Sequence, residues 1–180
     1  MNSDISIVAL SLQIALFATA VTLPLGMLVA WLLVRKQFRG KFVLDVVVSL
    51  PLALPPVVVG YALLWMVGTN GWIGQASESV FGSTLAFTWI AAALAAAIVS
   101  LPLVVRSFGA ALAGVDPRLE IAARGLGAGS VRTFLTITLP LAYRGVIAGV
   151  LLGFVRALSE FGATIVVAGN IPGRTQTVPS

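Results

Sequence analysis

Three long stretches without a charged residue constrain this chain more than any other feature of its sequence. They cover residues 5–34, 46–77 and 79–105. Each reaches or exceeds the roughly 20 apolar residues that a helix needs to cross a bilayer core of about 30 Å. Charged residues make up 9% of the chain, whereas a soluble surface needs roughly 25%. The sequence therefore predicts an integral membrane protein.

The expected fold class is all-α: a polytopic transmembrane helix bundle that forms a single domain over residues 1–180. Hydropathy and helical periodicity place four spans and one long loop along the chain. The spans are expected at about 7–34, 43–67, 85–105 and 146–168, and the loop at about 106–144.

The net charge of +5 follows the topology of these spans. Basic residues cluster between the first two spans and again after the third, while the stretch 68–83 contains no Lys or Arg. Loops rich in Lys and Arg remain in the cytoplasm. We therefore expect a multi-pass protein with its N-terminus outside and the loop 106–144 inside. A nucleic-acid partner is not expected.

Span two contains Pro51, Pro55 and Pro56. Each proline removes a backbone donor, and a break inside a membrane is tolerated only where protein or a water-lined cavity satisfies the freed carbonyls. Two interpretations remain open, namely a kinked packing helix and a break that lines a translocation pathway.

Span four carries Arg156 and Glu160, followed by Gly162, which permits a bend. A charge at membrane depth is costly and usually faces the interior of a helix bundle. Residues four apart lie on the same side of a helix, so the two side chains are able to pair. The pair is either part of a pathway or a structural ion pair.

The loop 106–144 has the pattern of two short amphipathic helices joined by a glycine turn. Asp116 and Pro117 form a helix start, and Ser130 is placed to cap a second helix that Pro140 would end or kink. Alanines on the first helix favour docking into a partner's groove, although a helix on the membrane surface is the alternative. The glycines do not match a nucleotide-binding loop, because no Gly-Lys-Ser or Gly-Lys-Thr follows them. With Cys and His absent, no cofactor or metal is expected.

The sequence EIAARGLG at 120–127, followed by ITLP at 137–140, resembles the EAA loop of ABC importer permeases. In that family the loop forms a coupling helix that docks on a cytoplasmic ATPase subunit. The glutamate lies one residue earlier than in the family pattern, which has its glutamate where this chain has Ile121. The resemblance implies that six positions belong to the coupling loop: Glu120, Ala122, Ala123, Gly127, Leu139 and Pro140.

The stretches 50–64, 156–164 and 169–179 are similar to the molybdate/tungstate branch of these permeases, with sulfate permeases as close relatives. The resemblance implies import of molybdate or tungstate across the inner membrane by a homodimer. It also implies a separate ATPase subunit and a periplasmic oxyanion-binding protein. The family has one further span, which we expect this chain to lack. The candidate pathway residues are Pro55, Pro56, Arg156, Glu160 and Gly162.

Two other classes of function were weighed. An intramembrane enzyme would need several acidic or His residues gathered near one interface. The chain has six acidic residues and no His, and Glu160 is the one expected at membrane depth. A membrane scaffold without transport gives no reason for the charges in span four.

The predicted topology is testable because the native chain has no cysteine that would react in the background. A cysteine that replaces Ser77 should react with an impermeant thiol reagent from outside, and a cysteine at Ser130 should not. The opposite labelling pattern would invert the orientation.

Overall fold

The computed structural model describes residues 2–69, 71–81, 86–169, 171 and 175–178, and within this part of the chain the regular structure is entirely helical. The predicted all-α class is therefore confirmed. In chain order the helices are α1 (Asn2–Arg35), α2 (Lys41–Ala53), α3 (Pro56–Val67), α4 (Trp72–Phe81), α5 (Trp89–Ala113), α6 (Pro117–Gly125), α7 (Ser130–Thr133), a π-helical turn (Phe134–Thr138), α8 (Leu139–Leu158) and α9 (Gly162–Ala168).

Three helices in the described residues are long and apolar enough to cross a membrane. They are Ile5–Arg35, Trp89–Ala113 and the continuous helix Ser130–Leu158, which joins α7, the π turn and α8. The first continues through Pro24. The neighbouring Gly26 serves packing, because a Cβ there would lie 2.7 Å from a methyl group of Val104 on α5.

Helix α5 lies at the centre of the bundle and packs against α1 on one side and α8 on the other. Its buried Ala92, Ala93 and Ala96 meet Ala15 and Ala18 of α1. Small residues let membrane helices approach closely and gain dispersion contacts. The alanines of α5 therefore let it pack closely against α1.

Helix α5 does not coincide with the third predicted span. Span three was expected over 85–105, but α5 runs from Trp89 to Ala113, and Leu85 lies outside the described residues. The helix continues past Arg106. The Arg106 side chain has partners on α2: its Nη2 lies 3.0 Å from Asp45 Oδ1 and donates to Ser49 Oγ at 2.6 Å. The loop expected over 106–144 is therefore helical for most of its length.

The break expected in span two is confirmed and is sharper than a kink. Helices α2 and α3 meet at an angle of 114°, and Pro56 occupies the first turn of α3, where a missing N–H costs nothing. Pro51 lies inside α2 without interrupting it. Span four, expected over 146–168, is also broken, since α8 ends at Leu158 and α9 begins at Gly162.

The buried environment of Ser77 changes the design of the labelling experiment. Ser77 is 6% exposed, and its hydroxyl donates to the Gly74 carbonyl oxygen at 2.8 Å. Gln75, on the same helix α4, is exposed. The outside cysteine therefore belongs at Gln75, whereas Ser130 is exposed and remains suitable.

Candidate functional site

Helix α6 begins and ends as its sequence predicts. The Asp116 side chain accepts a hydrogen bond from the Arg118 N–H at 2.9 Å, and Pro117 is the first helical residue. After Gly125 the chain turns through Gly127, whose φ of +89° favours glycine. The second helix differs in detail, because Gly129 takes the N-cap position and Ser130 is its first residue.

Glu120 lies inside the protein and joins several elements. Its Oε1 accepts a hydrogen bond from Arg35 Nε at 3.0 Å and another from the Thr138 hydroxyl at 2.9 Å. Arg35 Nη2 also donates to the carbonyl oxygens of Leu112 and Val115, each at 3.0 Å. The network fastens α6 to the end of α1, the end of α5 and the π turn.

This ion pair is shielded from solvent, with 11% of the Arg35 side chain and 9% of the Glu120 side chain exposed. Removing one partner of such a pair leaves an uncompensated charge and typically costs about 3–5 kcal/mol. The displaced glutamate, whose role the sequence leaves open, is thus an internal anchor and not part of an exposed docking face. Sequence reasoning missed Arg35 and Thr138, since nothing local connects them to Glu120.

Several apolar side chains of α6 are exposed on the side that faces away from Glu120. Ala122 lies two residues from Glu120 and therefore on the other side of the helix, and it is exposed. Beside it Ile121 is 68% and Leu126 91% exposed. Ala123 lies at the edge of this exposed side of the helix and is half-buried. Helix α6 thus exposes apolar side chains together with the exposed Arg118 and Arg124.

Pro140 was expected to end or kink the second helix, and the structure shows that the helix does not end there. The helix passes from α7 through the π turn into α8, with Leu139 N–H donating to the Phe134 carbonyl oxygen. A proline ring crowds the carbonyl four residues earlier, and the wider π turn relieves that crowding. Leu139 is half-buried and Pro140 exposed.

The two helix breaks lie against each other. A Cβ on Gly162, at the start of α9, would lie 3.0 Å from Cβ of Pro56, at the start of α3. One turn further, a Cβ on Gly60 would lie 2.9 Å from Cα of Ala163. The structure therefore brings together Pro56 and Gly162, which the sequence predicted separately, with Pro55 as the residue preceding α3.

Arg156 and Glu160 form the predicted pair, with Arg156 Nη1 at 2.6 Å from Glu160 Oε2. Glu160 lies in the break, is 3% exposed, and its Oε1 accepts a hydrogen bond from the Ala163 N–H at 2.8 Å. Its backbone carbonyl accepts another from the Thr164 hydroxyl at 3.0 Å. Glu160 therefore also caps α9, a role that the sequence did not reveal.

Comparisons with known proteins identify the family. The family described as "Binding-protein-dependent transport system inner membrane component" matches residues 22–179. The chain is 56% identical over 173 residues to the molybdenum transport system permease protein ModB of Escherichia coli (strain K12), covering 96% of this chain and 76% of that protein. It is 41% identical over 175 residues to the probable sulfate transport system permease protein cysT of Chlorokybus atmophyticus, covering 97% of this chain and 61% of that protein.

A solved structure shares the fold. The crystal structure of an amino acid ABC transporter with histidines matches with a TM-score of 0.63 at 22% identity, covering 92% of this chain and 71% of that one. At this identity the likeness shows the fold alone. The family match over residues 22–179 and the 56% identity to ModB establish that the chain belongs to the binding-protein-dependent inner membrane components, the multi-pass permease subunits of ABC transporters.

Proposed function

We propose that this chain is the permease subunit of an importer that carries molybdate, or the similar oxyanion tungstate, across the inner membrane. Permeases of this family work in general with an ATPase subunit and a substrate-binding protein. For this chain we propose a cytoplasmic ATPase, a periplasmic oxyanion-binding protein and a second permease copy. The single observation that carries the proposal is the exposed apolar face of α6, held in place from behind by the buried Glu120.

The proposed docking surface consists of Leu119 and Ala122 on α6 and of Leu126, which caps the end of that helix. These residues are spaced three and four apart, share one side of the helix and are exposed. An amphipathic helix that lays such a face into an apolar groove is a common recognition mode. We assign the groove to the ATPase, because residues 120–127 resemble the coupling helix of ABC permeases.

The proposed route from docking to transport follows the contacts of α6. Glu120 links α6 to Thr138 in the π turn, and that turn continues directly into α8. Helix α8 ends at the break that contains Glu160, against Pro56 of the other break. Movement of α6 would therefore reach both breaks through a hydrogen bond to the π turn, the continuous chain of α8 and the packing of Gly162 against Pro56.

The proposed orientation places α6 in the cytoplasm and the N-terminus outside. The contact between Arg35 and Glu120 supports this orientation, because it puts the end of α1 on the same side as α6. The basic residues Lys36, Arg39 and Lys41 follow α1 on that side, as expected for a cytoplasmic loop.

Molybdate is favoured over sulfate as the substrate because identity to ModB of E. coli is 56% and identity to the C. atmophyticus sulfate permease is 41%. The test is ATP hydrolysis by the chain reconstituted with its ATPase and binding protein. Binding protein loaded with molybdate should stimulate hydrolysis more than the same protein loaded with sulfate or left empty. Stronger stimulation by sulfate would reassign the substrate, and no stimulation by either would reject the importer.

Replacing Ala122 by Arg tests the docking surface. The bulky cation would enter the apolar contact and lose hydration there, so we expect binding of the ATPase to weaken at least about tenfold. Ala113→Arg is the matched control, since Ala113 is an exposed alanine at the end of α5 on the same side. Both variants should insert and elute like the parent on size exclusion. Equal ATPase binding by the two variants would show that the α6 face is not the docking surface.

Substitutions of the Arg156–Glu160 pair test the pathway. Arg156→Ala alone leaves the buried Glu160 carboxylate without its cation, so it should destabilise the protein by about 1–3 kcal/mol. Adding Glu160→Gln removes the stranded charge, and the glutamine Oε1 is still placed to accept from Ala163 N–H. The double variant should therefore be more stable than the single one in thermal unfolding.

The same double variant separates a pathway role from a purely structural one. It should fold and bind the ATPase, yet transport oxyanion at a reduced rate. Transport at the parental rate would mean that the pair is structural, and the proline break at Pro55 and Pro56 would then replace it as the candidate gate.

A further inference from the structure

A cleft of about 600 Å³ opens between the end of α1, the start of α2 and the middle of α5. Apolar side chains that include Ala30, Val34 and Val105 form much of its wall. On α1 this wall ends at Val34. The next residue, Arg35, contacts Glu120 of α6. The cleft therefore opens on the same side of the bundle as α6.

The mouth of this cleft carries an excess of positive charge. Asp45 lines it, but Arg106 already lies 3.0 Å from its carboxylate and also donates to Ser49. Arg39 and Lys41 line it too. Neither side chain forms an ion pair or a hydrogen bond within the described residues. Two cations at the mouth are thus available to an anion from outside the chain.

Neighbouring side chains place the mouth at the level of the membrane interface. Lys36 Nζ lies 5.2 Å from the centre of the Trp31 ring on α1, and Trp and basic residues are enriched at interfaces. Phe42, adjacent to Lys41, is 77% exposed and also lines the cleft. An apolar wall below a cationic mouth matches a ligand with a phosphate and a hydrocarbon chain.

Gly109 of α5 provides room for such a chain. A Cβ at this position would meet only a methyl group of Val34, at 3.8 Å, which is ordinary van der Waals contact. The glycine is therefore not required by close helix packing, unlike Gly26 or Gly149. It leaves the cleft open along α5.

We propose that this cleft binds an anionic phospholipid, with its headgroup phosphate on Arg39 and Lys41 and one acyl chain along Val34 and Gly109. Basic pockets between membrane helices on the cytoplasmic side bind headgroups of this kind. The assignment to the cytoplasmic leaflet rests on the proposed function, because the orientation does. A bound lipid would hold the start of α2, which is fastened to α5 by the pair of Asp45 and Arg106.

The test is native mass spectrometry of the full chain in detergent, titrated with dioleoylphosphatidylglycerol. Dioleoylphosphatidylcholine and inorganic phosphate are titrated in parallel. The double variant Arg39→Gln with Lys41→Gln should bind phosphatidylglycerol about tenfold or more weakly, since each basic residue near an anionic headgroup contributes to binding. The control, Lys36→Gln with Arg132→Gln, removes one Lys and one Arg outside the cleft and should bind like the parent.

Several results would overturn the proposal. Equal weakening in both double variants would indicate general surface charge, and equal affinity for phosphatidylcholine would indicate a groove without headgroup selection. Retention of inorganic phosphate as tight as that of phosphatidylglycerol would indicate a site for free anions.

Gly109→Leu tests the acyl-chain part without changing the charge. The leucine should fill the cleft and reduce phosphatidylglycerol retention while the oligomeric state stays that of the parent. Unchanged retention would refute the acyl-chain placement, and a changed oligomeric state with unchanged retention would assign the cleft to a second copy of the chain. These measurements need neither ATPase nor oxyanion, so their failure is distinguishable from failure of the transport function.

Discussion

A hydrocarbon interior offers the polypeptide backbone no hydrogen-bonding partner, so each N–H and C=O group at membrane depth has to be satisfied within the protein. Continuous helices meet this requirement along α1 and α5. Two interruptions, between α2 and α3 and between α8 and α9, meet it differently. At the break between α8 and α9, nearby side chains form hydrogen bonds with the backbone. The Glu160 carboxylate accepts from the Ala163 N–H, and the Thr164 hydroxyl donates to the Glu160 carbonyl oxygen.

Close approach of helices through small residues then holds these interruptions together. Val104 of α5 lies between Gly26 of α1 and Gly153 of α8, and a side chain at either glycine would collide with it. Gly60 likewise admits the backbone of α9 at Ala163. Lipid tails are as apolar as the side chains, so shape and dispersion contacts decide which helices pair. Small residues thus allow the two breaks to pack against each other, with Gly162 beside Pro56 and Gly60 beside Ala163.

The buried ion pair of Arg35 and Glu120 connects this membrane part to α6. A pair shielded from solvent contributes little net stability over apolar replacements, but losing one partner is costly. Such an interaction is suited to holding two elements in a fixed relative position. Here it holds α6, whose outer side exposes apolar residues, against the end of α1. The π turn beside it lets one helix run from this loop into α8 despite Pro140. The exposed side of α6 and the broken end of α8 are thus parts of one connected structure.

The sequence alone determined the membrane class, the helical fold, the break at Pro55 and Pro56, and the start and glycine turn of α6, because hydropathy, proline geometry and capping are local properties. It also predicted the pair of Arg156 and Glu160, which are four residues apart on one chain segment. The tertiary structure decided that Arg106 of α5 pairs with Asp45 of α2, and that Glu120 faces Arg35, 85 residues away. It also decided that Pro56 meets Gly162. Such contacts depend on how whole helices pack in three dimensions, and no local periodicity encodes which distant side chain completes a buried charge.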